Sequence, residues 1–200
     1  MEKIISKEEF DELMRIEGEG RGLTFKNEAE YILKKEGRGG LKKLEDTMAQ
    51  LGYPIKYRKA KSMDFYPLGV EATTLLAIQR LFNYTDKDFQ EMGKYEPKIS
   101  DFVIRIFMGY LVSLERAIKG VGAMWRKTFT VGDLKVVEYD LKKKYIVLRL
   151  EDFKVSKLHC QDLIGYFSGL LQMIVKTKVA CKETKCLFCG DNYHEFVLKW

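Results

Sequence analysis

All four cysteines and both histidines of this 200-residue chain lie between His159 and His194. Thiolates and imidazoles gathered in this way are the sulfur and nitrogen donors that zinc takes in a tetrahedron. Cys186-Leu187-Phe188-Cys189-Gly190 is a C-x-x-C followed by glycine. That spacing lets two thiolates face one ion while the glycine takes the tight turn beneath it. His194 follows on the returning strand of a predicted hairpin, and Cys160 can add a ligand from across the fold. The pattern therefore predicts a zinc site of Cys160, Cys186, Cys189 and His194, with Cys181 a further ligand or a core thiol. Plain burial and redox chemistry are the competing readings. A thioredoxin-like pair opens a helix after a strand, whereas this one sits at a turn. Four protein ligands would close the site, which makes it a staple and not a hydrolytic centre.

The elements that must position these residues follow from periodicity and caps. Ser6-Lys7-Glu8-Glu9 is a capping box, followed by Phe10, Leu13 and Met14 at helical spacing. Gly18, Gly20 and Gly22 end that helix. Two short helices are expected near 27–35, with Gly37 past its end, and near 41–51, stopped by Gly52 and Pro54. Lys56 to Lys61 is a basic connector. Pro67 suits the first turn of an apolar helix over 68–82. Thr85-Asp86-Lys87-Asp88 caps a helix to about Met92, and Ser100 starts a long one over 101–119 that Gly120 and Gly122 weaken. After Trp125 the period alternates, predicting strands over 127–131, 134–139 and 145–150. A helix over 159–175 carries Gly165 and Gly169 on one face, where another backbone can come close. A hairpin of 179–185 and 193–199 closes the chain. The expected fold is α+β: a helical N-terminal half packed on a small antiparallel sheet, ending in the zinc hairpin. Residues 1–62 form an N-terminal helical subregion and 63–200 the main domain, or the two run together as one.

Composition narrows the function classes. There are 35 Lys+Arg against 29 Asp+Glu, and 46% of the chain is apolar, so it folds around a core and is not disordered. No stretch approaches the ~18–20 apolar residues of a membrane span. Acidic residues stand where a signal peptide has its apolar stretch, so a cytoplasmic protein with reduced thiols is expected.

The C-terminal residues carry a family resemblance. Cys160-Gln161-Asp162-Leu163-Ile164-Gly165-Tyr166-Phe167-Ser168-Gly169, then Glu183-Thr184-Lys185-Cys186, Gly190-Asp191 and His194-Glu195-Phe196 resemble the 4-vinyl reductase, or hydrocarbon-binding, domain family. Its pattern is a cysteine, a Gly-x-x-x-Gly helix, E-x-x-C, a G-D/E turn and a second cysteine, whose place His194 takes here. The resemblance implies a fold shared with haem nitric-oxide sensors and Golgi-transport tethering subunits. In phenol-sensing relatives the positions of Cys160, Cys186 and His194 hold zinc with one further ligand. Cys189 is the local candidate for that fourth place, and Glu138 is closer to those relatives. The haem branch implies an axial histidine on a central helix and a Tyr-x-Ser-x-Arg clamp. This chain has only His159 and His194 and no such clamp, so haem is not expected.

The resemblance makes the leading function an intracellular, homodimeric module that binds a small apolar or aromatic molecule between its helices and sheet. Large apolar residues such as Phe82, Phe102, Phe107, Trp125, Tyr166 and Phe167 would line that space, although such stripes more often build core. An enzyme or accessory of pigment metabolism is the alternative. Against it, Gly18-Glu19-Gly20-Arg21-Gly22 is not a nucleotide fingerprint, and no catalytic set is assigned. Nucleic-acid binding through Lys56–Lys61 and Lys142–Lys144 is the weakest reading, since lysines in a turn are ordinarily solvated.

Overall fold

The computed structural model describes residues 4–99 and 113–200. The chain opens with helix α1 (Lys7–Leu13), which starts with the capping box expected of Ser6 and Glu9. Strand β1 (Glu19–Arg21) occupies the glycine-rich break. Helix α2 (Leu23–Gln50) joins the two short helices expected there, with a break at Gly37, whose φ of 71° lies in the left-handed region. After a single 3-10 turn at Tyr57–Lys59, strand β2 (Phe65–Pro67) pairs antiparallel with β1, and helices α3 (Leu68–Phe82) and α4 (Asp86–Ile99) follow. Pro67 stands at the N-cap of α3, one residue before the first turn.

Helix α5 (Leu114–Thr128) is capped by Ser113. The beginning of the helix expected over 101–119, with Phe102 and Phe107, lies outside the described residues. Its described part runs past Gly120 and Gly122 without a break. Strands β3 (Asp133–Asp140) and β4 (Tyr145–Glu151), helix α6 (Lys157–Val175) and the hairpin β5 (Ala180–Lys185) and β6 (His194–Lys199) complete the chain. The four later strands form one antiparallel sheet in the order β3-β4-β6-β5. The architecture is α+β.

The strand expected over 127–131 does not form. Lys127 and Thr128 finish α5, and Phe129 only bridges to Gly20. Its alternation is the product of ring packing: Phe129 lies 4.5 Å from Trp125 and 5.2 Å from Phe153, centroid to centroid. Helix α4 also outruns its expected end at Met92, because Gly93 serves a helix contact. A Cβ at Gly93 would stand 2.0 Å from the Asp162 carbonyl oxygen, and one at Gly165 2.0 Å from that of Gln90. A Cβ at Gly169 would stand 2.8 Å from the Lys94 carbonyl. The Gly-x-x-x-Gly face of α6 is thus spent on α4 of the same chain and is not open to a second copy.

Two cores result. One packs α1, α2, α3 and α4 around Phe25, Ile32, Leu44, Tyr57 and Phe89. The other packs α5 and α6 on the inner face of the sheet, with Leu148, Leu150, Phe167, Phe196 and Leu198. Helix α3 contributes to both, Ile78 to the first and Leu68 to the second. Inter-helix space between the two cores is where the polar groups of interest collect.

Candidate metal centre and ligand cavity

Ser156 accepts from the His159 amide at 3.1 Å and so starts α6 just before Cys160. That places the Cys160 thiol inward, beneath the β5–β6 hairpin. His194, Phe196 and Leu198 alternate on the buried face of β6. Cys186 directly follows β5 and opens the turn, its amide held at 2.8 Å by the Asp191 carboxylate, which ties the turn. The Cys160 and Cys186 sulfurs lie 3.9 Å apart, and Cys160 Sγ lies 3.7 Å from His194 Nδ1. Glu183 Oε1 stands 2.8 Å from that same nitrogen. These four donor atoms all fall within 4.8 Å of one another. A tetrahedral zinc with Zn–S bonds of ~2.3 Å and Zn–N bonds of ~2.0 Å needs S–S edges of about 3.8 Å and S–N edges of about 3.5 Å. The two edges at Cys160 match that polyhedron, and the 2.8 Å between His194 Nδ1 and Glu183 Oε1 would have to open to about 3.3 Å around an ion.

Cys189 is exposed and stands outside this group, on the single-turn 3-10 segment Leu187–Cys189. Glu183 is in the group instead. Glu138 is on the outer part of β3, where it accepts a short hydrogen bond from the Tyr145 hydroxyl. Cys181 packs beside the sheet core. The signal for Glu183 was present in E-x-x-C: along β5 it shares the inward side with Cys181, two residues before it.

Proton bookkeeping at His194 separates a metal site from four adjacent polar residues. Its Nε2 lies 3.0 Å from the Phe153 carbonyl, an acceptor, so Nε2 carries the hydrogen. Nδ1 then presents a lone pair to the Glu183 carboxylate at 2.8 Å. Two acceptors at that distance need a further proton or a cation between them. Nδ1 free for a ligand, with Nε2 donating to a backbone carbonyl, is also the second-shell arrangement that orients metal-bound histidines. Without a cation, burial and the Glu183 charge push the Cys160 thiol up, and burial pushes Cys186 up as well. The donor set fits a metal ion.

One turn along α6 the chemistry changes. A cavity of about 120 Å³ opens between α5, α6 and the sheet. Trp125, Phe129, Leu134, Leu148, Phe167 and Leu171 make most of its wall, and at the helical end it is lined by Asn27, Glu71, Glu96, His159 and Asp162. Glu28 sits behind them, and none of these six residues is more than 7% exposed. Among the described residues, Glu96 Oε1, Asp162 Oδ1, His159 Nδ1 and both Glu28 oxygens have no hydrogen-bond partner. Burial pushes Glu71 up to about 8, with the Asp162 charge adding to it, and raises Asp162 too. Glu28 and Glu96 rise well above the usual carboxylate range through burial and mutual repulsion. His159 falls to about 3, chiefly through burial. Its Nε2 is 3.6 Å from Glu71 Oε1, so that contact joins neutral groups and is not an ion pair.

No protein family and no curated protein matches this sequence. Solved structures do. An H-NOX protein from S. oneidensis in its Fe(II)NO state superposes with a TM-score of 0.66 at 11% identity, over 90% of this chain and 98% of that one. The H-NOX fold is shared. An H-NOX protein from K. algicida gives 0.62 at 12% identity, over 90% and 95%. The phenol-responsive sensory domain of the transcription activator PoxR, with phenol, gives 0.53 at 13%, over 70% and 77%.

The described cavity is small, and its polar end is lined by carboxyl groups. Its volume of about 120 Å³ is below even the ~300–1,000 Å³ of pockets for drug-sized ligands. His159 is a nitrogen donor there, but one facing carboxyl groups.

Proposed function

We propose that this chain is a small-molecule-binding sensory domain whose ligand enters the cavity between α5, α6 and the sheet. The observation that carries this is the cavity itself: an apolar space with a few polar groups gathered at one end, the arrangement of small-molecule sites. A likeness in fold to a phenol-responsive sensory domain supports the same reading. The second part of the proposal is a structural zinc held by Cys160, Glu183, Cys186 and His194. When bound, the ion would neutralise two thiolates and a carboxylate and join α6 to the β5–β6 hairpin. Helix α6 and β6 both face the cavity through Phe167 and Leu198, so the staple would fix the wall against which a ligand packs.

Two measurements on purified full chain test these parts separately. Elemental analysis is expected to find one zinc per chain, lost in His194→Ala; metal-free protein of unchanged stability would defeat the staple. Mass spectrometry of an organic extract, followed by titration with phenol and small alkylbenzenes, is expected to find a retained or saturable ligand. Failure of every such probe to bind would defeat the sensory reading.

A further inference from the structure

The carboxyl groups at the helical end of the cavity have no structural purpose that their own contacts explain. Each buried polar atom left without a partner costs about 1–3 kcal/mol, and native folds rarely tolerate several together. Here the acids arrive from four separate helices: Glu28 from α2, Glu71 from α3, Glu96 from α4 and Asp162 from α6. Their oxygens do not converge as metal ligands; among the described residues the one such group is that of Cys160, Glu183, Cys186 and His194. Glu71, Glu96 and Asp162 border a space instead, whose wall is otherwise mostly apolar and aromatic, with Arg21 and Lys127 also part of it.

We infer that the cavity takes a small cation with an apolar or aromatic body, its ammonium head among Glu71, Glu96 and Asp162 and its body against Trp125, Phe129 and Phe167. This rests on the cavity being the ligand site and names the class of ligand. The volume sets the size: an engineered apolar cavity of ~150 Å³ accepts benzene, so about 120 Å³ holds a body no larger than one ring, and benzylamine is at the limit of the space. The polarity follows from what faces the acids. From α2 come Asn27 and Glu28, from α4 Glu96, and from α6 His159, Asp162 and Tyr166, none of them a lysine or an arginine. Arg21 and Lys127 also line the cavity. Arg21 is already engaged, donating to the carbonyls of Met63 and Lys127 and lying over the Phe65 ring. An ammonium brings three donors to a site where Glu96 Oε1 and Asp162 Oδ1 have none among the described residues, and it favours the ionised carboxylates that burial now disfavours. Binding should therefore release protons, as Glu71, held protonated to about 8, gives up its own.

The experiment compares benzylamine with two molecules of similar shape, neutral ethylbenzene and anionic benzoate, by calorimetric titration of the zinc-loaded full chain at pH 7. Benzylamine is expected to bind on the order of tenfold tighter than ethylbenzene, the effect of one or two charge-assisted hydrogen bonds, and benzoate weakest. Glu96→Gln and, separately, Glu71→Gln should erase the amine preference while leaving ethylbenzene affinity unchanged. Titrations in buffers of different ionisation heat should show protons released by benzylamine and none by ethylbenzene. Equal binding of ethylbenzene and benzylamine, or an amine preference that survives both substitutions, would overturn the cation and leave the apolar cavity standing. Binding of none of the three would overturn both.

Discussion

Cys160 and Asp162 stand two residues apart on α6, yet they serve polar clusters built in opposite ways. Around Cys160, four donor atoms from α6, β5, the hairpin turn and β6 close to within 4.8 Å. Around Asp162, acids from three helices border a cavity with Glu28 of a fourth behind them, and several oxygens are unpaired among the described residues. Convergence on a point suits an ion, whose bonds are ~2.0–2.3 Å long. Dispersion around a space suits a molecule with an extent of its own. Both clusters disfavour free charge by burial, but they ask for compensation of different size and shape.

The contrast breaks most visibly at the metal. An ion present at ~1,000 times its Kd contributes about 4 kcal/mol, and a domain of this size shifts by ~2–4 °C per kcal/mol. Chelation should therefore lower the Tm by about 8–16 °C, and His194→Ala should be as unstable and insensitive to the chelator. Thermal melts with and without chelator check this. A similar Tm loss from chelator in His194→Ala would show that the ion sits elsewhere.

Independence of the two clusters can be probed through the helix contact. Gly165→Ala places a methyl where the Gln90 carbonyl now lies, and overpacking of this kind costs about 1–3 kcal/mol, sometimes more. Because α4 carries Glu96 and α6 carries Asp162, prising them apart should disturb the acidic end of the cavity. Zinc content should stay at one per chain, since the hairpin holds Cys186 and His194 regardless. Loss of zinc in Gly165→Ala would mean that the clusters act as one unit.

pH should move the clusters in opposite directions. Glu71 keeps its proton in the fold up to about 8, whereas its ordinary value is 4.5. Between those values the folded chain holds more protons than the unfolded one, so this group's contribution falls as pH rises, by at most ~1.4 kcal/mol per pH unit. Glu71→Gln should thus gain stability relative to the parent from pH 5 to pH 8, measured by denaturant titration. The metal group behaves the other way, because acid protonates the ligands and expels the ion. A stability difference between parent and Glu71→Gln that stays flat across this range would remove the contrast.

Much of the scaffold was legible because its signals are local. The Ser6–Glu9 box, the Gly37 break and the 180–199 hairpin each follow from a few adjacent residues. What escaped was set at long range. Phe129 alternates with Val131, but ring contacts with Trp125 and Phe153 and the continuation of α5 decide its place. Gly93 reads as a helix end until the α6 backbone is beside it. Glu71 and Asp162 were visible as lone acids in otherwise apolar helical runs, which is an anomaly in itself. Their gathering with Glu28 and Glu96 depends on four helices meeting, which no local pattern encodes.

The smallest expected effect bears on the fourth ligand. C-x-x-C spacing favours Cys189, whereas the folded hairpin turns Glu183 toward His194 and leaves Cys189 exposed. Cys189→Ser should change stability by no more than ~0.5 kcal/mol, as surface substitutions usually do, and leave zinc content at one. Glu183→Gln should weaken zinc binding measurably in competition with a colorimetric chelator. The two variants form a pair, because either residue can complete a tetrahedron only if its strand or turn reaches the ion. Should Cys189→Ser lose zinc while Glu183→Gln keeps it, the hairpin must close further around the ion, swapping carboxylate for thiolate. The site would then be a Cys3His centre, more tightly closed than the arrangement of its side chains here.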